Sequence, residues 1–433
     1  MQTTLAPEFA GTPDGTEAEA ILRKCVHCGF CTATCPTYQL LGDELDGPRG
    51  RIYLMKQVLE GVPPTRATQL HLDRCLTCRN CESTCPSGVE YGALVDIGRR
   101  IVDAKVARPA GERATRWLLR EGLTSQLFAP ALKLGQAVRP LLGKALKAKV
   151  PLPATGAAAT REGLWPQRTH ARKVLMLMGC VQPAMKPNIN AATARVLDLA
   201  GVQTIAPDAA GCCGAVRSHG GDHEGGLADM RRNIDAWWPW VAGLTDAGAV
   251  EAIVMNASGC GVAVKDYARA LAHDPDYADK AARVSALTRD LSELVDGLMP
   301  ALLAHWGGVR QRRGAEAPEF APGTPLVFHP PCTLQHGQQL RGGVEQILAA
   351  LDFDVRLAAS ESHLCCGSAG TYSVLQPVLA TQLRDRKLAA LAAARAEPRA
   401  IVSANIGCIS HLQSGTATPV RHWIELVDER LAG

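Results

Sequence analysis

The spacing of apolar residues changes along the chain, and the change separates a helical first part from an α/β second part. Thr16–Glu19 has the residues of a capping box and opens a predicted helix that leads to Cys25, and Ile52–Leu59 repeats apolar residues at helical spacing. Beyond residue 173, short apolar runs alternate with helical stretches such as Ala191–Leu199 and Val378–Ala394. This alternation predicts α/β units around parallel sheets.

The α/β part contains one pattern twice. Each copy has an apolar run ending at a cysteine, then a Cys-Cys-Gly triplet, then another apolar run ending at a fourth cysteine. Corresponding cysteines lie 152, 153 and 148 residues apart, which indicates a duplicated domain. The cysteines are Cys180, Cys212, Cys213 and Cys260 in the first copy and Cys332, Cys365, Cys366 and Cys408 in the second.

These eight cysteines allow several interpretations. They follow predicted strands, whose carboxyl ends meet at one edge of an α/β sheet, and four thiolates there suit an additional iron-sulfur centre. Core packing, a redox-active thiol pair, or a quinone or partner contact explains the pattern as well. The sequence leaves the metal content of the duplicated domain open.

Two further cysteine runs in the first part share one spacing, C-x2-C-x2-C-x3-C-P, which is typical of bacterial ferredoxins that bind two [4Fe-4S] clusters. In that pattern the fourth cysteine of each run ligates the cluster of the other run. Zinc and disulfide pairing explain the third cysteine and the Cys-Pro step poorly. The predicted ligands are Cys25, Cys28, Cys31 and Cys85 for cluster 1 and Cys75, Cys78, Cys81 and Cys35 for cluster 2.

Two basic features lie near these runs. Arg49 and Arg51, in the predicted loop between the runs, either offset cluster charge or are solvated. Residues 102–149 combine ten Lys or Arg with three Asp or Glu and a regular series of apolar side chains. We favour helices that pack on the protein or on a partner subunit, and the alternative is contact with an anionic membrane surface.

The patterns predict an α+β multidomain chain, with a mainly helical ferredoxin-like two-cluster domain before two repeated α/β domains. We expect a disordered lead at 1–15, the ferredoxin-like domain at 16–101, the basic helical segment at 102–149, a linker at 150–172, repeat 1 at 173–306, a linker at 307–324 and repeat 2 at 325–433.

Composition and the absence of certain motifs reduce the number of possible functions. The 433 residues carry a formal charge of +4, and each oxidised cubane with four thiolates adds about −2, so a nucleic-acid role gains no support. Neither a secretory leader nor a transmembrane run is predicted, and sixteen cysteines suit a reduced cytoplasmic protein. The sequence has no G-x-G-x-x-G fingerprint at a strand-to-helix turn and no phosphate-binding P-loop motif.

Histidines cluster in the second repeat. His329, His336, His363 and His411 are candidates for ligating iron or passing a proton to a quinone. His411 lies three residues after Cys408 and is the best ligand candidate, whereas Ala263 holds the equivalent place in the first repeat.

The chain resembles the iron-sulfur subunits of bacterial glycolate oxidases. The resemblance spans Ile21 to Val427 and rests on six blocks: Cys25–Tyr38, Asp43–Arg51, Cys75–Cys81, Asn233–Pro239, His363–Gly370 and Arg421–Glu425. Related architectures include the small subunit of anaerobic glycerol-3-phosphate dehydrogenase, lactate-utilisation proteins and heterodisulfide reductases. The repeats of the heterodisulfide reductases end in C-x2-C and hold noncubane clusters, whereas here Ala263 and His411 replace the last cysteine.

The resemblance implies a subunit of a glycolate dehydrogenase complex without catalytic residues of its own. Separate FAD-binding subunits would oxidise glycolate, with D-lactate as another substrate, and this chain would pass electrons to a quinone at the inner face of the cytoplasmic membrane. Two other functions fit the cysteines. One is a heterodisulfide-reductase-like thiol-disulfide reductase, and the other is a docking domain whose repeat cysteines are inert.

Overall fold

The computed structural model describes residues 1–143, 147, 150–151, 161, 163–245, 248–313 and 323–432. Its first part is helical, and its second part contains two four-stranded parallel sheets with helices around them. The predicted fold class is therefore confirmed. The helices before the first sheet are Pro13–Lys24, Phe30–Ala33, Pro36–Leu41, Pro48–Leu59, Arg66–Asp73, Asn80–Thr84, Tyr91–Lys105, Ala110–Thr124 and Phe128–Ala137, with single 3-10 turns at Glu44–Asp46 and Arg139–Leu141.

The amino-terminal residues pack more closely than the sequence predicts. Residues 1–15 are expected to be disordered, but Phe9 is buried in the helical core, and the Met1 amino group donates to the carbonyl oxygens of Leu22 (2.8 Å) and Cys25 (2.7 Å). The first helix begins at Pro13 with Thr12 as its cap, because proline suits the first helical position and leaves a capping hydroxyl just before it.

The loop between the two cysteine runs is shorter than predicted. A helix expected from Ile52 begins at Pro48, so Arg49 and Arg51 belong to its first turn. Asp46 is fully buried and accepts hydrogen bonds from Arg51 (3.5 Å) and Arg74 (2.8 Å). This buried ion-pair network fixes the path of the chain between the runs.

The two sheets have the same topology. The first has strands β1 to β4 in the order β2-β1-β3-β4, and the second has β5 to β8 in the order β6-β5-β7-β8, all parallel. This matches the duplication seen in the sequence. The strands are β1 Arg172–Met176, β2 Val202–Ile205, β3 Ala252–Met255, β4 Thr288–Asp290, β5 Thr324–His329, β6 Phe353–Leu357, β7 Ala400–Ser403 and β8 Val420–His422.

Helices surround both sheets, and one apolar core runs through both repeats. Side chains from Val174 on β1 and from Leu326 on β5 belong to the same buried cluster. The helices are Gln182–Met185, Asn188–Leu199, Ala215–His219, His223–Val241, Ser258–Lys265, Tyr267–Ala270, Ala278–Leu287 and Leu291–Arg313 in repeat 1, and Gly343–Ala350, Tyr372–Leu375, Pro377–Ala394, Ile406–Gln413 and Trp423–Leu431 in repeat 2, where a π-helical turn spans Thr333–Gly337.

The predicted linkers coincide only in part with the described chain. Residues 307–313, assigned to a linker, continue the helix Leu291–Arg313, because Val309 on its apolar side is fully buried in the shared core. Most of the linker predicted at 150–172, and residues 314–322 of the other, lie outside the described residues. The domain limits stay predictions. In the described part of the chain, no helix is long and apolar enough to cross a membrane.

Candidate iron-sulfur sites

The two ferredoxin-type runs fold into loops of the same backbone shape. In the first run, His27 and Gly29 have φ of 56° and 83°, and in the second Thr77 and Arg79, at the same places, have φ of 51° and 56°. Left-handed residues in a row turn successive amide groups towards one side, where they face an anionic group. Three of the four are not glycine, and such strain is concentrated at functional sites. Both loops therefore suit a bulky anionic cluster.

The structure groups the first predicted ligand set. Cys25, Cys28, Cys31 and Cys85 line one small cavity, together with Cys81. Burial raises the pKa of Cys31 to about 11, and the neighbouring thiolates of Cys25, Cys28 and Cys85 raise it further. A bound metal would hold cysteines gathered in this way as thiolates. The cysteine from the other run is part of this set, as the ferredoxin pattern requires.

The second predicted set is grouped in the same way. Burial raises the pKa of Cys81, and Cys78, Cys75 and Cys35 are the nearest thiols that add to the shift. The Tyr91 hydroxyl donates to Cys75 Sγ at 3.6 Å, and the Thr77 amide donates to the same sulfur at 3.4 Å. Hydrogen bonds to ligand sulfurs tune cluster potentials.

Two arginines lie beside these sets. Arg49 is partly exposed and pairs with Glu44 at 2.7 Å, which raises its pKa, and the Cys31 thiolate makes a smaller contribution. Arg51 is buried, and Tyr91, Cys75 and Cys35 raise its pKa against the effect of burial. The interpretation that places positive charge near the clusters therefore agrees with the position of Arg51, whereas Arg49 is closer to the solvated alternative. Tyr91 was missed by the sequence analysis, because nothing in its spacing relates it to the cysteines.

The Cys-Cys-Gly triplets have the same geometry in both repeats. Gly214 has φ of 90° and Gly367 has φ of 87°, and a Cβ atom would lie 2.8 Å from the Gly226 carbonyl oxygen in the first case and 2.6 Å from the Ala380 oxygen in the second. Only glycine fits there. The triplet places two adjacent cysteines against the helix that follows.

In repeat 1 the four cysteines converge. Hydrogen bonds with the thiols of Cys180 and Cys213 lower the pKa of Cys212 to about 3, and the amides of Gly214 and Val216 contribute to the same shift. The pKa of Cys213 is raised by its hydrogen bonds with Cys212 and Cys260. Cys180, Cys212, Cys213 and Cys260 are therefore connected to one another through neighbouring thiols.

In repeat 2 the four cysteines also converge, and the pKa values of Cys332, Cys365 and Cys366 are raised. Cys332 Sγ lies 3.8 Å from Cys365 Sγ. The bond with Cys332 lowers the pKa of Cys365, but its bond with Cys366 and burial outweigh this, so the net shift is upward. The pKa of Cys366 is likewise raised, by Cys408 and by burial, against the opposite influence of Cys365.

The histidines of repeat 2 have different surroundings from those expected. His411, the best candidate by sequence, directs Nε2 to the Ala380 carbonyl oxygen at 3.0 Å. His336 uses both ring nitrogens, one with Ser83 Oγ (2.6 Å) and one with the His363 carbonyl oxygen (2.8 Å). In contrast, one ring nitrogen of His329 lies close to Cys366 Sγ and Cys408 Sγ. These three atoms are all within 4.8 Å of one another.

The second ferredoxin loop is in direct contact with repeat 2. Leu76 and Cys78 pack into one apolar cluster with Cys332, Cys365 and Tyr372. Cys332 raises the pKa of Cys78, after the larger effect of burial. The ligands predicted for cluster 2 and the repeat 2 cysteines are thus neighbours across an apolar contact.

Repeat 1 meets the helical region through charged groups instead. Arg79 pairs with Asp266, and Arg217 donates to both carboxylate oxygens of Glu121 at 2.6 and 2.8 Å. A cleft of about 2580 Å³ runs between the regions, and cysteines of both repeats line it.

Comparison with known families finds a 4Fe-4S dicluster domain at residues 21–89 and a cysteine-rich domain at residues 174–265 and again at 326–413. The glycolate oxidase iron-sulfur subunit of Escherichia coli (strain K12) is 52% identical to the chain, and the alignment covers 100% of this chain and 99% of that protein. The chain belongs to the family of glycolate oxidase iron-sulfur subunits.

More distant relatives agree. The probable glycolate oxidase iron-sulfur subunit of Bacillus subtilis (strain 168) is 29% identical over 92% of this chain and 89% of its own length. Lactate utilization protein A of Geobacillus thermodenitrificans is 23% identical over 60% of this chain and 99% of its own length. The resemblance drawn from the sequence is confirmed, and so are iron-sulfur clusters as its cofactors. The assignment of individual ligands stays a prediction.

Proposed function

We propose that this chain relays electrons from FAD-binding partner subunits, which oxidise glycolate to glyoxylate and also accept D-lactate, to a quinone. The observation that carries the proposal is the continuous series of cysteine groups, from the first ferredoxin set through Cys78 to Cys332 and Cys365. When bound, iron-sulfur clusters would supply reversible transfer of single electrons. Family membership supports glycolate as the donor of electrons to the complex.

The proposed ligands are those that the ferredoxin spacing predicts. Cys25, Cys28, Cys31 and Cys85 hold cluster 1, and Cys75, Cys78, Cys81 and Cys35 hold cluster 2. The left-handed loops direct amide groups to each cluster, and Arg51 offsets negative charge. The chain itself contributes no group that oxidises glycolate.

The first cluster is the proposed place where electrons arrive. Cys28 is exposed, and next to it Val26 and Phe30 are 69% and 61% exposed. Apolar side chains around an accessible ligand suit a partner subunit, because they are buried when it binds. The opposite end of the series, in repeat 2, is buried.

We propose that the helices Ala110–Thr124 and Phe128–Ala137 place the protein on the inner face of the cytoplasmic membrane. The second helix has no buried residue, and Trp117, Leu127 and Leu134 are largely exposed. Of the interpretation favoured from the sequence, packing on the protein itself leaves this apolar side largely uncovered, and packing on a partner subunit is the alternative to the membrane. Basic residues beside it suit anionic lipid headgroups.

One set of measurements tests the relay. The complex with its flavin subunits should reduce a soluble quinone analogue when glycolate is added, and this chain alone, reconstituted with clusters, should not oxidise glycolate. Cys78→Ser should abolish quinone reduction while the flavin subunits still reduce an artificial dye. The exposed Leu244→Ser is the matched control and should behave like the wild type. Glycolate oxidation by the chain alone, or full quinone reduction by Cys78→Ser, would contradict the proposal.

Membrane association has its own measurement. The complex should sediment with vesicles that contain anionic phospholipids, less so at high salt, and Trp117→Asp with Leu134→Asp should leave it in the supernatant. Equal sedimentation of this double variant would show that other residues make the contact.

A further inference from the structure

His329 is the last residue of β5, the central strand that leads to Cys332. It is completely buried, and neither ring nitrogen has a hydrogen-bond partner among the described residues. Burying a polar group without a partner costs free energy, about 1–3 kcal/mol in proteins. The buried His329 imidazole therefore needs a partner other than a hydrogen-bonding group of the protein.

The groups next to His329 show what that partner is. One of its ring nitrogens lies with the sulfur atoms of Cys366 and Cys408 in a group whose members are all within 4.8 Å of one another. Cys365 and Cys332 influence the pKa of Cys366 and belong to the same set of thiols. Sulfur and imidazole nitrogen are both ligands for iron.

The other histidines of repeat 2 do not compete for this place. Both nitrogens of His336 are used in hydrogen bonds, and His411 Nε2 is bonded to the Ala380 carbonyl oxygen. His363 is only half-buried.

Repeat 1 has no such donor. Leu177 lies three residues before Cys180, as His329 lies three residues before Cys332, and Leu177 is buried in an apolar cluster. The difference between the repeats therefore lies at one matched position behind otherwise similar cysteines.

We infer that His329 is a nitrogen ligand of an iron-sulfur centre in repeat 2, which makes that site a mixed sulfur and nitrogen site, unlike that of repeat 1. The inference rests on the proposed function, since it needs metal at the repeat 2 cysteines. Imidazole in place of thiolate raises the potential of an iron-sulfur centre. A thiolate placed at position 329 should therefore lower the potential of the repeat 2 centre.

The test is electron spin echo and ENDOR spectroscopy of the reduced, anaerobically purified full chain labelled with 15N-histidine. We expect a strong coupling to a directly bound nitrogen in the wild type. It should be absent from His329→Leu, which has the residue found in repeat 1. His411→Gln is the matched control: it keeps a donor for the Ala380 carbonyl and should retain the coupling.

A second variant covers the case in which His329→Leu does not fold or does not keep its metal. His329→Cys retains a ligand, so iron content should equal that of the wild type while the nitrogen coupling disappears and the midpoint potential falls. A coupling that persists in His329→Cys overturns the inference.

The number of irons per chain distinguishes a failure of this inference from a failure of the proposed electron relay. About eight irons per chain, with no strong nitrogen coupling, overturns the inference and leaves the two ferredoxin-type clusters in place. If the coupling is present but glycolate reduces none of the centres in the complex, the proposed function fails instead.

Discussion

The two repeats share strand order, four cysteines and a left-handed glycine, but the residues behind the cysteines differ in charge. Repeat 2 has His329 three residues before its first cysteine, where repeat 1 has Leu177. It also has the buried Lys387 twenty residues after the glycine of its triplet, where repeat 1 has the buried Ile234. The duplicated fold thus preserves the sulfur atoms, while His329 and Lys387 place nitrogen groups beside the second site alone.

The contacts with the helical region differ as well. Repeat 2 touches the second ferredoxin loop through apolar side chains and cysteines, whereas repeat 1 meets the helical region through ion pairs. The two repeats therefore share one fold but contact the helical region in different ways. In the proposed function we expect the apolar contact of repeat 2 to lie on the electron path.

The largest expected effect comes from removing matched cysteines. Cys366→Ser should lower glycolate-driven quinone reduction roughly tenfold or more, because it alters the site next to cluster 2. Cys213→Ser, the same change in repeat 1, should lower it less. Steady-state rates of the two variants in the assembled complex measure this, and equal losses would remove the distinction between the repeats.

A smaller effect follows from the buried cation of repeat 2. Lys387 influences the pKa values of nearby groups and is itself shifted downward by burial, with Cys366 and Cys365 opposing that shift. Lys387→Met should lower the midpoint potential of the repeat 2 centre on the order of tens of millivolts, because a nearby positive charge favours the reduced state. Redox titration followed by EPR measures the shift.

The control for this change is the neighbouring arginine. Arg386 is partly exposed and pairs with Glu361, so Arg386→Met should leave the potential nearly unchanged. A shift as large as that of Lys387→Met would mean that net charge, rather than the buried position, sets the potential.

The smallest expected effect is a change in the pH dependence of thermal stability. His422 on β8 accepts from the Ile424 amide (3.2 Å), and Asp290 on β4 accepts from the Ser292 amide (3.0 Å), so two different residues cap the helices that follow. Burial lowers the pKa of His422 to about 4 and raises the pKa of Asp290. The two caps therefore respond to pH with opposite signs.

The pH dependence follows from the unfolded values. The stability due to neutral His422 is complete above pH 6.5 and is lost as pH falls towards 4, by about 2 kcal/mol at pH 5. His422→Asn should thus lose less thermal stability than the wild type between pH 7 and pH 5. Asp290→Asn should instead lose more thermal stability than the wild type over this range, because burial favours the protonated form of Asp290. Unfolding midpoints at both pH values check this, and parallel curves for all three proteins would contradict it.

Features whose geometry depends on residue spacing alone could be predicted from the sequence. Three cysteines at intervals of three form one loop, and a constant offset between copies implies a repeated fold, so the grouping of the ferredoxin cysteines and the two sheets could be predicted. The choice among the four candidate histidines could not be made in this way. His411 is near Cys408 in sequence, but the helix Ile406–Gln413 directs it to the Ala380 carbonyl, while β5 brings His329 to Cys366 from 37 residues away.

The left-handed loops have a consequence for how the protein matures in the cell. His27, Thr77 and Arg79 are held in a conformation that costs about 1–3 kcal/mol for each non-glycine residue. The helices around these loops and the two repeats, in contrast, have apolar cores of their own. The nascent chain should therefore fold its helices and repeats first and keep the ferredoxin loops open until the cluster-assembly machinery delivers iron and sulfide to them.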